Sequence, residues 1–232
     1  MAAKTCVITG ASRGIGLATA LHFAKQGYQI VAAARHETEL AAAGQKIEAA
    51  GATCQVVVLD VGRPEDARRL IGEAHRRFGR IDVLVNNAGH APLAPLEKFA
   101  AAELDRVLAV NVAASFHTTQ AVWPFMQAQH GGVIVNLSSR ASVDPFPGFA
   151  VYGASKAWVN VFSHALADEG RPHNIRVFAV APGAVETGLL RGAFPDFPRE
   201  KTLAPADVAR VIVSLCDEAM APCSGQTVFV RK

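Results

Sequence analysis

The sequence of 232 residues predicts one doubly wound α/β domain, a parallel sheet of seven strands with helices on both faces. Short runs rich in Val and Ile alternate with longer Ala-rich stretches along the whole chain, which is typical of β-α-β units. The run Val56-Val57-Val58 is apolar at successive positions, so we expect a strand that is buried on both faces. No linker, charge run or change of composition divides the chain, and we therefore predict a single domain over residues 1–232.

The individual elements follow from the same alternation. The Val- and Ile-rich runs predict strands at 5–9, 29–33, 55–59, 81–85, 133–137, 176–179 and 227–230. Between them, helices are predicted at 15–26, 39–50, 65–78, 101–129, 152–169 and 205–217. The first two helices stop at Gly27 and Gly51, which accept a left-handed cap, and Pro64 opens the third. The segment 183–204 has no helical or strand period, so we expect a long irregular loop with a functional role.

Composition excludes several classes of protein. Hydrophobic residues make up 50% of the chain and charged residues 19%, which does not fit a disordered or low-complexity class. The net charge of +3 provides no basic stripe for nucleic acid. Apolar stretches are broken well before ~18 residues, and the start of the chain lacks the apolar core of a signal peptide. We therefore expect a soluble, cytoplasmic protein without membrane partners, in which the four cysteines, none in C-x-x-C spacing, stay reduced.

A glycine-rich turn joins the first predicted strand to the first predicted helix. The sequence TGASRGIG at 9–16 places Gly10, Gly14 and Gly16 where open α/β sheets bind ligands. Glycines allow a tight turn and let a pyrophosphate approach backbone N–H groups at the positive end of the helix. A plain strand-to-helix turn is the alternative, but the position at the first strand of the sheet favours a nucleotide.

The end of the second predicted strand indicates which nucleotide is bound. The sequence there is Ala34-Arg35, without the carboxylate that would accept both ribose hydroxyls and repel a 2′-phosphate. Arg35, together with Arg13 in the glycine turn, instead offers charge-assisted donors to such a phosphate. Two solvated surface arginines are the alternative reading, but the topology brings the pair together. We therefore predict NADP(H) in preference to NAD(H).

Tyr152 and Lys156 form the candidate catalytic pair. Their spacing of four places both side chains on one face of the predicted helix. A free phenol has a pKa of ~10, and we expect the nearby ammonium to lower it so that Tyr152 exchanges a proton near neutral pH. Ser138 and Ser139 follow the fifth predicted strand and bring a hydroxyl to the same sheet edge, although most such serines serve only in turns or caps.

In combination these features resemble the short-chain dehydrogenase/reductase family, in its compact NADP(H)-preferring branch, over essentially the whole chain. The matching motifs are TGASRGIG at 9–16, DV at 60–61, NNAG at 86–89, NV at 111–112, NLSS at 136–139, YGASK at 152–156, and PG at 182–183 with Thr187. The resemblance implies a Rossmann-like fold. It also selects Ser139, the second serine of the pair, as the catalytic one.

The resemblance implies a role for each matched residue. Tyr152 would donate a proton to the carbonyl oxygen and Ser139 would hydrogen-bond the same oxygen, while Lys156 would lower the phenol pKa and bind the nicotinamide ribose. Asn111 would hold a water that passes protons to solvent. The implied cofactor-binding residues are Gly10, Ser12, Arg13, Gly14, Ile15, Gly16, Arg35, Asp60, Val61, Asn87, Ala88, Gly89, Tyr152, Lys156, Pro182, Gly183, Val185 and Thr187.

The implied activity is hydride transfer between NADP(H) and a small-molecule ketone, aldehyde or alcohol, without a metal. A 3-oxoacyl thioester reductase is the alternative enzyme, and a non-catalytic NADPH-sensing protein is the alternative from another class. Family resemblance also implies a homodimer or homotetramer. Phe194 and Phe197 lie in the segment 183–204, where they either form a lid over the substrate or simply anchor the loop.

Overall fold

In a computed structural model, which describes residues 3–232, seven strands form one parallel sheet. The strands are β1 (Thr5–Thr9), β2 (Gln29–Ala34), β3 (Cys54–Val58), β4 (Val83–Asn86), β5 (Gly132–Leu137), β6 (Ile175–Pro182) and β7 (Thr227–Val230). Their order across the sheet is β3-β2-β1-β4-β5-β6-β7. The direction of winding therefore reverses between β1 and β4, which opens a crevice at their carboxyl ends.

Helices cover both faces of the sheet. They are α1 (Gly14–Lys25), α2 (Glu37–Ala49), α3 (Pro64–Phe78), α4 (Ala101–Val107), α5 (Ala114–Ala128), α6 (Ala150–Gly170), α7 (Gly188–Ala193) and α8 (Pro205–Leu215). Apolar side chains of α1, α2 and α8 fill one core layer, and those of α3, α5 and α6 fill the other. The predicted doubly wound domain with Rossmann-like architecture is confirmed. Among residues 3–232, no helix combines the length and the apolar character needed to cross a bilayer.

The sequence-based positions of all seven strands are confirmed to within a few residues. Gly27 and Gly51 follow α1 and α2 with φ values of +80° and +99°, as a left-handed cap requires. The helix predicted over 101–129 is instead two α-helices joined by a π-helical turn, Leu108–Ala113. Such turns are frequent at functional sites, and this one carries Asn111.

The prediction that strand β3 is buried on both faces is wrong. The side chain of Val57 is 3% exposed, whereas those of Val56 and Val58 are 42% and 41% exposed. The reason is the strand order, because β3 lies at the edge of the sheet and the helices cover only one of its faces there. Apolar runs in a parallel sheet do not by themselves distinguish an edge strand from a central one.

The segment 183–204 is also more ordered than predicted. It contains α7, a 3₁₀ turn at Arg199–Lys201 and a parallel bridge between Val185 and Leu203. Thr187 caps α7, since its hydroxyl accepts a hydrogen bond of 3.3 Å from the amide of Leu190. This short helix was not predicted, because six residues are too few to show a helical period of apolar residues.

Candidate active site

A cavity of about 650 Å³ lies at the carboxyl edge of the sheet, where the winding reverses. It runs from the glycine turn to the segment after β6. With two exceptions, the predicted catalytic and cofactor-binding residues all line it. The exceptions are Gly16, which lies inside the turn, and Asn111, which is 1% exposed. The geometry thus brings the sequence-predicted residues together in one place.

The glycine turn is built so that its backbone lies open to the cavity. Gly10 has φ +66°, and a Cβ atom there would lie 2.9 Å from Nδ2 of Asn87. A Cβ on Gly16 would collide with the carbonyl oxygen of Gly10. Asn87 fixes the turn from the neighbouring loop, because its Nδ2 donates to the carbonyls of Thr9 at 2.9 Å and Gly10 at 3.0 Å. A cradle that any side chain would fill fits a dinucleotide pyrophosphate at the start of α1.

The adenosine end of the cavity carries the two predicted arginines. Arg13 and Arg35 both line it. Arg13 forms an exposed ion pair of 3.5 Å with Glu39 of α2, and the hydroxyl of Ser12 lies 3.4 Å from the same carboxylate. The last residue of β2 is Ala34, so this position carries no carboxylate. The donor set therefore fits a nucleotide with a phosphate on its adenosine ribose.

Asp60, one of the implied cofactor-binding residues, is held by Arg106, which the sequence motifs did not indicate. Arg106 of α4 donates to its two carboxylate oxygens at 2.8 and 3.2 Å, and the amide of Gly62 donates at 3.0 Å. Burial raises the pKa of the Asp60 carboxyl, but these hydrogen bonds outweigh burial and hold the pKa below its usual value. Asp60 is thus a fixed carboxylate at the wall of the adenosine end.

Tyr152 and Lys156 are buried side by side on α6, with 9% and 4% exposure. The ammonium of Lys156 lies 5.9 Å from the centroid of the Tyr152 ring and donates to the carbonyl of Leu137 at 2.6 Å. Burial lowers the pKa of Lys156 to about 8. Burial likewise raises the pKa of Tyr152, and a hydrogen bond with Ser139 only partly offsets this.

The expectation that Lys156 brings the pKa of Tyr152 below its ordinary value is therefore wrong, because burial raises that pKa. Desolvation of the phenolate dominates, and the ammonium is directed to Leu137 rather than to the phenol oxygen. Tyr152 is consequently a protonated phenol at neutral pH, which is the form needed to donate a proton.

The two serines after β5 have different environments. Ser138 is 4% exposed, and its hydroxyl donates a hydrogen bond of 3.1 Å to the carbonyl of Lys156. The hydroxyl of Ser139 accepts from the amide of Ala141 at 3.2 Å and is the one beside Tyr152. Ser139 thus lies beside Tyr152, and Ser138 supports the helix that carries the candidate catalytic pair.

Asn111 lies one layer behind the cavity wall. Its Oδ1 accepts from the amide of His90 at 2.8 Å, and its Nδ2 donates to the carbonyl of His90 at 2.9 Å and to Ser155 at 3.0 Å. Ser155 in turn donates to the carbonyl of Tyr152 at 2.7 Å. Sequence reasoning missed both partners. Ser155 lies within the YGASK motif and was recognisable, whereas nothing in the sequence signalled His90.

The segment after β6 completes the cavity. Gly183, Val185 and Thr187 line it close to the glycine turn, since a Cβ on Gly14 would lie 3.2 Å from Cγ2 of Thr187. Phe194 and Phe197 line it farther along. Among residues 3–232, no group of three or more His, Cys, Asp or Glu side chains is arranged to hold a metal ion.

Fold and site together define the class of protein as an oxidoreductase that binds a nicotinamide nucleotide. Residues 4–196 match the family model described as short chain dehydrogenase. Among curated proteins, the chain is 36% identical to the 3-oxoacyl-[acyl-carrier-protein] reductase of Thermotoga maritima, over 98% of this chain and 96% of the relative. The chain belongs to the short-chain dehydrogenase/reductase family.

Solved structures agree with this assignment. A 3-ketoacyl-(acyl-carrier-protein) reductase from Brucella melitensis complexed with NADH superposes with a TM-score of 0.91 and 31% identity, over 99% of this chain and 97% of that one. Actinorhodin polyketide ketoreductase with NADPH superposes with a TM-score of 0.94 and 28% identity, over 100% and 98%. Both nicotinamide cofactors thus occur among proteins of this shape.

Proposed function

We propose that the protein is an NADP(H)-dependent reductase of small-molecule ketones or aldehydes, which also acts in reverse as an alcohol dehydrogenase. The observation that carries this proposal is the position of Tyr152, a buried, protonated phenol on the wall of the cavity that begins at the glycine turn. Binding a nucleotide requires the turn and the arginines, but no proton donor. A cavity with a donor beside Ser139 and Lys156 is equipped for reaction with a carbonyl.

Each residue has a defined task in the proposed reaction. The bound nicotinamide supplies the hydride. Tyr152 donates its proton to the carbonyl oxygen, and Ser139 donates a hydrogen bond that stabilises negative charge on that oxygen. Lys156 binds the nicotinamide ribose and keeps a positive charge near the phenol as its proton leaves. Asn111 positions the loop at His90 and the start of the catalytic helix, with one lone pair of Oδ1 left for a water on the proton path.

The preference for NADP(H) rests on the adenosine end of the cavity. Arg35 and Arg13 offer two cations where the ribose 2′-position would lie, and Ala34 leaves no carboxylate to repel a phosphate. The remaining cofactor contacts are assigned as the resemblance implied, from the glycine turn through Asp60, Val61 and Asn87–Gly89 to Thr187. We assign the protein to the cytoplasm on the sequence-based expectation.

An oligomer is proposed from the exposed face of α4, the π-helical turn that follows it, α5 and α6. Four large apolar side chains lie there at least 39% exposed, namely Leu104, Leu108, Phe116 and Val161. Large apolar patches on a protein surface mark interaction sites, and a second copy of the same face would cover them. We assign at least a homodimer.

The experiment that tests the function is a panel of ketones, aldehydes and 3-oxoacyl thioesters, assayed by the loss of near-ultraviolet absorbance as NADPH is oxidised. Turnover of a simple ketone or aldehyde supports the proposal. Activity restricted to 3-oxoacyl thioesters supports the second candidate, which the identity with the Thermotoga maritima reductase favours. Tight NADPH binding without turnover of any carbonyl would instead indicate a nucleotide sensor.

A further inference from the structure

A cluster of aromatic rings lies next to the catalytic tyrosine and has no task in the chemistry described above. The ring centroid of Phe149 is 4.8 Å from that of Tyr152, and Phe146 stacks on Phe149 at 4.6 Å with planes 20° apart. Phe194 of the segment after β6 meets both rings edge-on, at 5.3 Å from Phe146 and 5.6 Å from Phe149. All four rings line the cavity. The three phenylalanine rings form an aromatic wall that begins next to the proton donor.

The aromatic wall is open toward the cavity. Phe149 is 6% exposed and fills the core of the cluster, whereas Phe146 is 44% exposed. An exposed phenylalanine face stacked on a buried one remains in contact with water until another apolar surface covers it. Small side chains complete the same part of the cavity, since Ala141 and Ala193 pack against the cluster. The wall is therefore an apolar surface of the cavity that offers one open ring face, that of Phe146, and the ring of Phe194 set edge-on to it.

The charged side chains in this part of the cavity already have a partner or a proposed task. Among the described residues outside the adenosine end, the charged or titratable side chains that line it are Lys156, Arg140, Asp144 and His90, the last of which pairs with Glu103 at 2.6 Å. Arg140 and Asp144 form an ion pair of 2.9 Å with each other, and Lys156 is bonded to a backbone carbonyl. The ammonium of Lys156 is assigned to the nicotinamide ribose, so the described part of the chain leaves no cation beside the wall to pair with a carboxylate or phosphate of the substrate.

We infer that the aromatic wall of Phe146, Phe149 and Phe194 binds the substrate, and that this substrate is an uncharged ketone with a flat ring attached to the carbonyl carbon. The inference rests on the proposed function, because it names the substrate of the same site. A ring gains offset or edge-to-face contact with the wall beyond the area that it buries, which a linear chain does not. The carbonyl oxygen then lies toward Tyr152, at the end where the wall begins.

The first test compares four ketones with NADPH as reductant: acetophenone, its carboxylated analogue 4-acetylbenzoate, butanone, and a 3-oxobutanoyl thioester of N-acetylcysteamine. We expect kcat/KM for acetophenone to exceed the values for the other three by about tenfold or more. Equal or better turnover of 4-acetylbenzoate, butanone or the thioester overturns the inference while leaving the reductase function intact. Failure of every carbonyl with both NADPH and NADH overturns the proposed function, and the inference with it.

The second test changes the open ring. Phe146→Ala should lower kcat/KM for acetophenone about two- to twelvefold, the range that corresponds to an aromatic pair contact. It should leave kcat/KM for butanone and the Kd of NADPH within twofold of the wild type. Phe78→Leu, at the end of α3 and outside the cavity, is the control. It should leave kcat/KM unchanged for both acetophenone and butanone. Equal losses for acetophenone and butanone would mean that the rings only support the fold around Tyr152.

Discussion

Arg13 in the glycine turn pairs with Glu39 in the first turn of α2, and the nitrogen-to-oxygen distance is 3.5 Å. Both side chains are largely exposed, at 67% and 44%, so the pair is weak and is screened by salt. Its importance lies in its position, because Arg13 is one of the two cations assigned to the 2′-phosphate. In the proposed complex with NADP(H), Glu39 therefore competes with the 2′-phosphate for the guanidinium of Arg13.

Glu39→Gln is expected to tighten NADPH binding by about 1.5- to 5-fold, the range for an exposed ion pair, and to change NADH binding less. The Kd values of both nucleotides are measured by titration at low salt. Glu37→Gln, in the same helical turn, is the control, since the described residues give Glu37 no ion pair. An equal gain with Glu37→Gln would show a general effect of surface potential rather than competition for Arg13.

Arg35→Ala should weaken NADPH binding about ten- to a hundredfold and leave NADH binding nearly unchanged, since a hydrogen bond to a charged group contributes roughly 1.5–3 kcal/mol. Titration of the variant with each nucleotide gives the two Kd values and the ratio of NADPH to NADH affinity. Arg210→Ala removes a cation from α8, far from the cavity lining, and should leave both affinities unchanged. An unchanged NADPH to NADH ratio in Arg35→Ala would mean that no phosphate lies beside Arg35.

At the adenosine end, the sequence predicted only those residues whose position is determined by the order and direction of the strands. Arg13 follows β1 and Arg35 follows β2, and adjacent parallel strands must end at the same edge, so their convergence was predictable. Glu39 and Arg106 reach this end through the rotation of α2 and α4, which no local pattern specifies. The exposure of Val56 and Val58 was likewise not predictable from local sequence, because it depends on the place of β3 at the edge of the sheet.

The catalytic end shows the opposite case. The YGASK spacing correctly predicted that Tyr152 and Lys156 lie side by side on one helix, but the pKa expected from it for the phenol was wrong. Spacing on a helix describes distance along one face and contains no information on desolvation, which dominates here. The aromatic wall was equally hidden, since Phe146 and Phe149 precede α6 and meet Phe194 only in the folded chain.

Tyr152→Phe should reduce turnover to less than a tenth of the wild-type rate, because the phenol of Tyr152 is the group proposed to donate the proton. NADPH binding should stay near the wild-type value, since the change removes a single hydroxyl. Steady-state rates and nucleotide titration measure the two effects. Tyr28→Phe is the matched control, as Tyr28 packs on Phe23 outside the cavity, and it should leave both unchanged. Substantial activity in Tyr152→Phe would remove Tyr152 from the mechanism.

Val161→Glu should convert the protein to monomers. Val161 is 70% exposed on α6, within the apolar face assigned to self-association, and a buried unpaired carboxylate there would oppose contact. Light scattering at micromolar concentration should give at least a dimer mass for the wild type. Leu96→Glu, which adds the same charge at a 78% exposed site outside α4–α6, should keep the wild-type mass. A monomer mass for the wild type would contradict the assigned oligomer.

Lys156→Met should stabilise the nucleotide-free protein while abolishing most of its turnover. The folded pKa of Lys156 is about 8, against 10.5 for an ordinary lysine, because its ammonium is buried. Below pH 8 the lysine is charged in both states, and holding that charge in the interior costs about 3 kcal/mol, at ~1.4 kcal/mol per pKa unit. Methionine removes this cost, although it also loses the hydrogen bond to Leu137.

The stabilisation by Lys156→Met depends on pH with a defined sign. Between pH 8 and 10.5 the unfolded wild type binds more protons than the folded one, so its free energy of unfolding rises with pH. The gain from methionine is therefore largest at pH 7, at about 1–3 kcal/mol, and shrinks toward pH 10. Thermal unfolding at both pH values measures it, as a rise in Tm of roughly 2–10 °C at pH 7. Lys46→Met, on the exposed side of α2, should show no such dependence. A lower Tm at pH 7, or a gain that is the same at pH 10, would show that the ammonium of Lys156 is not held at a cost to stability.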